Sequence, residues 1–215
     1  MADLLAQKPA QNSTNSGLLK IRDAHGQERE IAVRFEIVST GTNWLSAYEA
    51  ICTNVGPGST KLTVIHSDNQ PNQYKLIEQA GAAATNAAPK ILTGNDAMIP
   101  FAGSDFWLAD LGLEFLHWPT QRLLKKEMRH SKSCDVLEST NPQPVSGGYA
   151  RVVTWITLDD PHGIVHADAY DGHSDLMKQF DPTELKKVHG ERQLAEMEMR
   201  NRKSGSHTWI KFDLE

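Results

Sequence analysis

From residue 18 onward apolar and polar positions alternate with a period of two, and turn residues interrupt the alternation at short intervals, which predicts a succession of antiparallel strands. The predicted runs are 18–24, 28–38, 44–53, 61–67, 73–79, 122–128, 133–139, 149–158, 163–170, 176–180, 193–201 and 208–214, about ten strands. In the second run Ile31, Val33, Phe35 and Ile37 share one face while Glu30, Arg34 and Glu36 share the other, so one face is wet. The last two runs make the clearest hairpin. Ala195, Met197 and Met199 face one way in the first, and Thr208, Ile210, Phe212 and Leu214 do so in the second. His166, Asp168 and Tyr170 read as the solvated face of a strand whose other face shows Val165, Ala167 and Ala169.

Two stretches break the pattern. Residues 80–95, rich in small side chains, read equally as a helical turn or a loop. After Phe101 and Gly103, Ser104 or Asp105 is placed to cap a short helix that carries Phe106, Trp107, Leu108, Leu111 and Leu113 and ends by Pro119. No helix is long enough for a βαβ crossover, and no repeat of solenoid length occurs, so doubly wound and repeat folds recede.

A chain of 215 residues with 39% hydrophobic and 23% charged residues has enough apolar material for one core. Residues 1–17 are polar and aperiodic and read as a flexible lead-in, with a single domain over 18–215. The net charge is −5 and the Lys and Arg residues are scattered, which leaves no basic stripe for nucleic acid. No apolar run is long enough to span a membrane. The first residues lack a basic and then apolar secretory leader, so the chain is expected to be cytosolic or a mature form. Cys52 and Cys134 sit in no metal-ligand spacing and are read either as two small buried thiols or as one bridge formed in an oxidising compartment.

The chain contains no nucleophile elbow, phosphate-binding glycine loop or paired-histidine zinc motif, so no catalytic residue, metal ligand or cofactor is assigned. The densest ionisable cluster is Asp159-Asp160-Pro161-His162 followed by His166, Asp168, Asp171, His173 and Asp175. Turn chemistry accounts for most of it, since Asp, Gly and His are favoured at 159–163 and 171–175 for backbone reasons. A metal-dependent enzyme built on His162, His166, Asp168 and His173 is the competing reading. A second concentration is apolar: Phe101, Phe106, Trp107, Leu108, Leu111, Leu113, Phe115, Leu116 and Trp118. These side chains point in too many directions for one stripe of a short helix. With Trp44, Trp155, Met197 and Met199 they suit either ordinary core or the wall and lid of an apolar cavity under a curved sheet. Arg122, Lys125, Lys126, Arg129 and Lys132 read as a solvated face, with an anionic membrane or acidic partner as the alternative contact.

The order of motifs resembles the LolA-like outer-membrane lipoprotein-sorting proteins. The segments that carry the likeness are Gly103 to Leu111, Gln121 to Lys126, Ser133 to Ser139, Tyr149 to Trp155 and His166 to Asp171, so it is close over 100–214 and loose over 18–100. The resemblance implies a mainly β fold, a strongly curved antiparallel sheet forming an open half-barrel whose concave face is covered by short helices or loops. It also implies a monomeric, non-enzymatic periplasmic carrier of lipid or lipoprotein acyl chains, with its signal peptide already removed and inner- or outer-membrane transport components as partners. The lining on that reading is Trp44, Phe101, Phe106, Trp107, Leu108, Leu111, Phe115, Trp118, Trp155, Met197 and Met199. A cell-envelope scaffold that binds protein or peptide is the second possibility, and the metal-dependent enzyme the third.

Overall fold

The two-residue alternation becomes a thirteen-stranded antiparallel sheet in a computed structural model that describes residues 9, 11–40, 43–52, 58–67, 70–80, 88–159, 162–188 and 190–214. The first group of strands is β1 (Ser13–Arg22), β2 (Glu28–Ser39), β3 (Asn43–Cys52), β4 (Gly58–Ser67), β5 (Gln73–Ala80) and β6 (Lys90–Leu92). The second is β7 (Thr120–Arg129), β8 (Lys132–Thr140), β9 (Arg151–Thr157), β10 (Ile164–Tyr170), β11 (Leu176–Val188), β12 (Glu191–Asn201) and β13 (His207–Asp213). Each group runs as a meander, and β1 pairs with β13 to join them, so the sheet is open with β6 and β7 as its edges. The fold is mainly β, and the sheet does not close into a barrel.

Residues 93–119, between the two edges, do not join the sheet apart from a bridge within the segment. They form a 3₁₀ turn η1 (Gly94–Ala97), a one-turn helix α1 (Leu108–Leu111) and a second 3₁₀ turn η2 (Glu114–His117). Phe101, Phe106, Leu108 and Leu111 of this plug pack in one cluster with Leu62, Val64 and Tyr74 from β4 and β5 and with Met197, Met199, Ile210 and Phe212 from β12 and β13. Strands that are far apart in the sheet touch one short segment, which requires the sheet to curve around it.

The register defines the two faces. Leu123, Leu137, Thr154, Ala167, Phe180, Met199, Thr208 and Ile21 lie opposite one another in turn across eight strands and share the inner face. The neighbouring line Lys125, Val136, Trp155 and His166 lies on the outer face. Two sequence expectations change here. β1 begins at Ser13, so residues 13–17 of the expected lead-in pair with β2; their alternation of burial is carried by polar side chains and glycine, which a hydrophobic pattern does not register. The described residues form thirteen strands rather than about ten; each predicted run has its strand, and the one without a run is β6, whose three residues are too few to show a period of two. Residues 81–87 of the small-residue stretch lie outside the described residues; its end forms β6 and the start of η1.

Candidate functional site

The plug is held to the inner face by a small number of polar contacts, and they fall into two groups. The first centres on Asp105, which is 7% exposed. Its carboxylate accepts hydrogen bonds from Thr208 Oγ1 at 2.8 Å, Ser206 Oγ at 2.6 Å and Asn201 Nδ2 at 3.2 Å, all on the β12–β13 hairpin. Its backbone N–H donates to Thr208 Oγ1 at 3.0 Å, and its carbonyl accepts from Lys178 Nζ at 2.6 Å. Across the turn Ala102-Gly103, where φ is 49° and 67°, Arg29 Nη2 donates to the Gly103 carbonyl at 2.6 Å. Neither Ser104 nor Asp105 caps the helix, contrary to the sequence reading. α1 starts later, and its cap is the Asp110 carboxylate, which accepts from the Trp107 N–H at 2.8 Å.

Asp110 also joins the second strand group to the plug. The Tyr149 hydroxyl donates to it at 3.0 and 3.2 Å, the Lys178 ammonium stands 3.5 Å away, and the Trp107 ring stacks on Tyr149 with centroids 4.5 Å apart. Lys178 Nζ lies 3.6 Å from the Trp107 ring centroid. Burial raises the Asp110 carboxyl above its ordinary value against the opposing pull of Lys178, the Trp107 N–H and Tyr149. Burial likewise pushes the Lys178 ammonium down to about 8, with Asp110 and Asp105 resisting.

The far half of the plug has a different anchor. Leu113 takes a left-handed conformation with φ of 51°, which turns the chain from α1 into η2. Gln121 Nε2 then donates to the carbonyls of Phe115 and Trp118 at 3.1 and 2.9 Å. On the β5 side, Asn72 Nδ2 donates to the Gly112 carbonyl at 2.6 Å and the Tyr74 hydroxyl to Glu114 Oε2 at 2.8 Å. Burial lifts Glu114 to about 7, partly offset by Tyr74. Because this value exceeds the ordinary 4.5, the contribution of Glu114 to stability is fully present below pH 4.5 and is lost as pH rises through about 7. His66 (lowered to about 4) and His117 (also lowered) act in the opposite sense over the acid part of that window, losing stability as pH falls. The Glu114→Gln variant should therefore gain thermal stability relative to the parent between pH 5 and pH 8, by roughly 5 °C. Parallel melting profiles for the two proteins across that range would refute this assignment.

The structure places the expected lining residues as follows. Phe101, Phe106, Leu108, Leu111, Met197 and Met199 belong to the main cluster, and Phe115 and Trp118 to a second one with Tyr149, Val152, Ala167, Ala169 and Met177. Trp107 is half-buried between Lys178 and Tyr149. Trp44, at the start of β3, stacks on His66 with centroids 3.6 Å apart on the face that carries Leu62 and Val64, and His66 in turn feels His117 of the plug. Trp155 does not face this interior. It packs on the outer face with Cys134, Val136 and Val153, beneath Arg129, and its indole N–H donates to Glu127. β9 is buried on both faces, so an apolar residue type there does not reveal its side. The interior holds a cavity of about 20 Å³ bounded by Asp110, Leu113, Phe115, Tyr149, Val152, Ala167, Ala169, Lys178, Phe180 and Met199. That is room for one water, with the apolar side chains packed around it.

The ionisable cluster divides. His166 is 2% exposed rather than solvated, with Nδ1 2.6 Å from Asp181 Oδ1 and Nε2 2.9 Å from Asp168 Oδ1. Burial works to lower its pKa, but the two carboxylates outweigh burial and raise it. Asp181, a strand away, was not a sequence candidate; the buried imidazole bridges two strands instead of facing water. His162 Nδ1 sits 3.0 Å from the Thr157 carbonyl, and His173 lies in the turn where Asp171 accepts from the N–H groups of residues 173 and 175. Asp160 and Pro161 lie outside the described residues. No group of three or more His, Cys, Asp or Glu positioned to hold a metal occurs among the described residues. Arg122, Lys125, Lys126 and Lys132 pair with Glu138, Glu127, Asp135 and Asp159. Cys134 is a buried free thiol, and the side chain of Cys52 lies outside those described. No helix among the described residues is long and apolar enough to cross a membrane.

Lys178, Tyr149, Glu114 and Tyr74 were absent from the sequence candidates. For Lys178 a signal existed: two residues before Phe180 on one strand, it shares that side chain's face, so a lysine was being sent inward.

A family model described as "Uncharacterized protein" matches residues 85–214. No curated protein matches the sequence. Among solved structures, a DUF1329 family protein from Desulfovibrio piger aligns with a TM-score of 0.75 at 18% identity, over 98% of this chain and 86% of its own. A domain described as an outer membrane lipoprotein-sorting protein, from Vibrio parahaemolyticus, aligns with 0.78 at 18% identity, over 100% and 88%. A LolA superfamily protein from Nitrosomonas europaea aligns with 0.65 at 16% identity, over 99% and 88%.

Proposed function

The chain belongs to the family whose model spans residues 85–214 and has the LolA-like fold, and from that premise we propose that it is a non-enzymatic carrier of lipid or lipoprotein acyl chains in the periplasm. The observation that carries this reading is how the inner face is covered. A curved sheet presents a wide apolar surface, and a segment outside the sheet, residues 93–119, fills it through a few polar anchors and side-chain packing. A covering of this kind can leave as a unit without breaking any ladder between strands. Beyond its reach the same inner face continues to the open edge β7, where Leu123 is 53% and Met128 64% exposed. Each CH₂ of a chain moved from water onto such a surface contributes about 0.8 kcal/mol, so affinity needs no chemistry on the ligand. On this reading the packed interior is the unloaded state, and an acyl chain takes the space of the buried Phe115, Leu116 and Trp118 when the plug lifts.

The test compares purified protein with and without phospholipid by native mass spectrometry and thermal shift. A carrier retains bound lipid through purification or melts several degrees higher when lipid is added. Trp107→Ala, which removes the ring between Lys178 and Tyr149, should weaken binding of an apolar fluorescent probe at least tenfold while lowering the melting temperature by only a few degrees. Absence of any lipid response, with binding of unfolded peptides instead, would favour an envelope scaffold, the reading to which the close packing of the interior lends its weight.

A further inference from the structure

The inner surface of a carrier for plain hydrocarbon has no use for a buried cation, yet Lys178 lies on it, on the same face of β11 as Phe180 and 3% exposed. An ammonium has three N–H donors. One goes to the Asp105 carbonyl at 2.6 Å, and a second faces the Trp107 ring at 3.6 Å. The nearest carboxylate oxygen, Asp110 Oδ2, stands off at 3.5 Å, and Asp110 is already supplied by the Trp107 N–H and the Tyr149 hydroxyl. The third donor is left this long contact with Asp110, which a better-placed acceptor could replace, and Lys178 is one of the residues lining a cavity whose walls are otherwise mostly apolar, among them Leu113, Phe115, Val152, Ala167 and Phe180. The space there admits one oxygen-sized group.

Resting on the carrier reading, we propose that Lys178 is a specificity residue that receives the oxygen acceptor at the head of a bound chain, a carbonyl or carboxylate, while the tail runs along the inner face toward β7. The register supplies the path. From Phe180 the inner line passes Ala167, Thr154 and Leu137 to Leu123, four strand spacings or roughly 19 Å, and it is small or apolar at each step. At its closed end stands a hydrogen-bond donor in a dry setting, where an acceptor gains most and an oxygen-free end group leaves the ammonium under-coordinated. The Asp110 carboxylate beside it repels a second anion, so a neutral ester carbonyl is favoured over a free carboxylate.

Displacement of an apolar fluorescent probe, N-phenyl-1-naphthylamine, tests this on the unmodified chain. The competitors are methyl dodecanoate, dodecanoate and 1-chlorododecane, three ligands of one chain length of which the last has no oxygen acceptor. Methyl dodecanoate should displace the probe at a concentration at least tenfold below that of 1-chlorododecane; dodecanoate ranking first instead would identify the head as a carboxylate and leave the role of Lys178 intact. In Lys178→Met, of similar length and apolar, the preference should collapse to within about twofold while 1-chlorododecane keeps its affinity. Equal displacement by all three in the parent protein overturns the role of Lys178 but not the carrier. Failure of the probe and of every competitor to bind overturns the carrier reading itself. The parent comparison needs no variant, so misfolding of Lys178→Met does not shield the proposal.

Discussion

Asp105→Ala should detach the plug before the sheet melts. The carboxylate takes hydrogen bonds from Thr208, Ser206 and Asn201, and the first of these donors is fully buried. Removing the acceptor leaves the Thr208 hydroxyl and the Asn201 amide short of a partner, at a cost of about 1–3 kcal/mol for each buried group. The total, on the order of 3 kcal/mol or more, corresponds to a fall in melting temperature of roughly 6–12 °C for a chain of this size. The expected signature is the order of events as well as the size. Fluorescence of an apolar dye should rise at a temperature where the far-ultraviolet strand signal is still intact, because the strands pair with one another independently of residues 93–119. Asp105→Asn keeps one carbonyl oxygen for the hydroxyls and should fall between the two. A single transition in which dye and strand signals coincide would mean that the plug is inseparable from the core, and it would remove the mechanical basis of the carrier reading.

The sheet was legible because its signal is local. Ile31, Val33, Phe35 and Ile37, or Ala195, Met197 and Met199, declare an inner face by period alone, and the structure places both sets there. What period cannot show is what lies between two sheets' worth of strands. Residues 93–119 contain one helical turn and two 3₁₀ turns, each too short to have a periodicity of its own. Their aromatic density was visible, but its meaning depends on whether a partner surface fills the space. Trp155 illustrates the same limit from the other side: on a strand buried on both faces, residue type carries no direction, and the opposite neighbours Val136 and His166 decide. The polar site was less legible still. Asp105, Asp110, Glu114, Tyr149 and Lys178 are separated by up to 73 residues in the pairs that touch, and no spacing rule links them. His166 was noted for its neighbour Asp168 and misread as wet, since Asp181, which closes the bridge, comes from the next strand of the sheet.

Gly17→Ala should be the most damaging added methyl among the described glycines. Gly17 lies on β1 where that strand passes β13, opposite Phe212 on one side and Val33 on the other, and it is buried. A Cβ built there lands on the carbonyl oxygen of Lys211, 3.1 Å from its carbonyl carbon and 3.2 Å from the Phe212 Cα. All of these are backbone atoms of the partner strand, which cannot rotate aside as a side-chain tip can, so the strand pair itself must move apart. Overpacking of this kind costs about 1–3 kcal/mol where side chains yield and more where backbone must. The β1–β13 ladder is the seam that joins the two meanders, and Leu19, Ile21, Ile210 and Phe212 of the main cluster belong to it. A melting temperature lowered by roughly 10 °C is expected, together with faster amide exchange in β1 and β13 than in β8 and β9. Gly163→Ala is the matched control, because a Cβ there meets nothing within 4 Å and its φ is ordinary, and it should change stability by less than about 0.5 kcal/mol. If the two variants melt alike, β1 does not approach β13 in this manner, and the joining of six strands to seven through that seam, on which the shared inner face depends, would have to be abandoned.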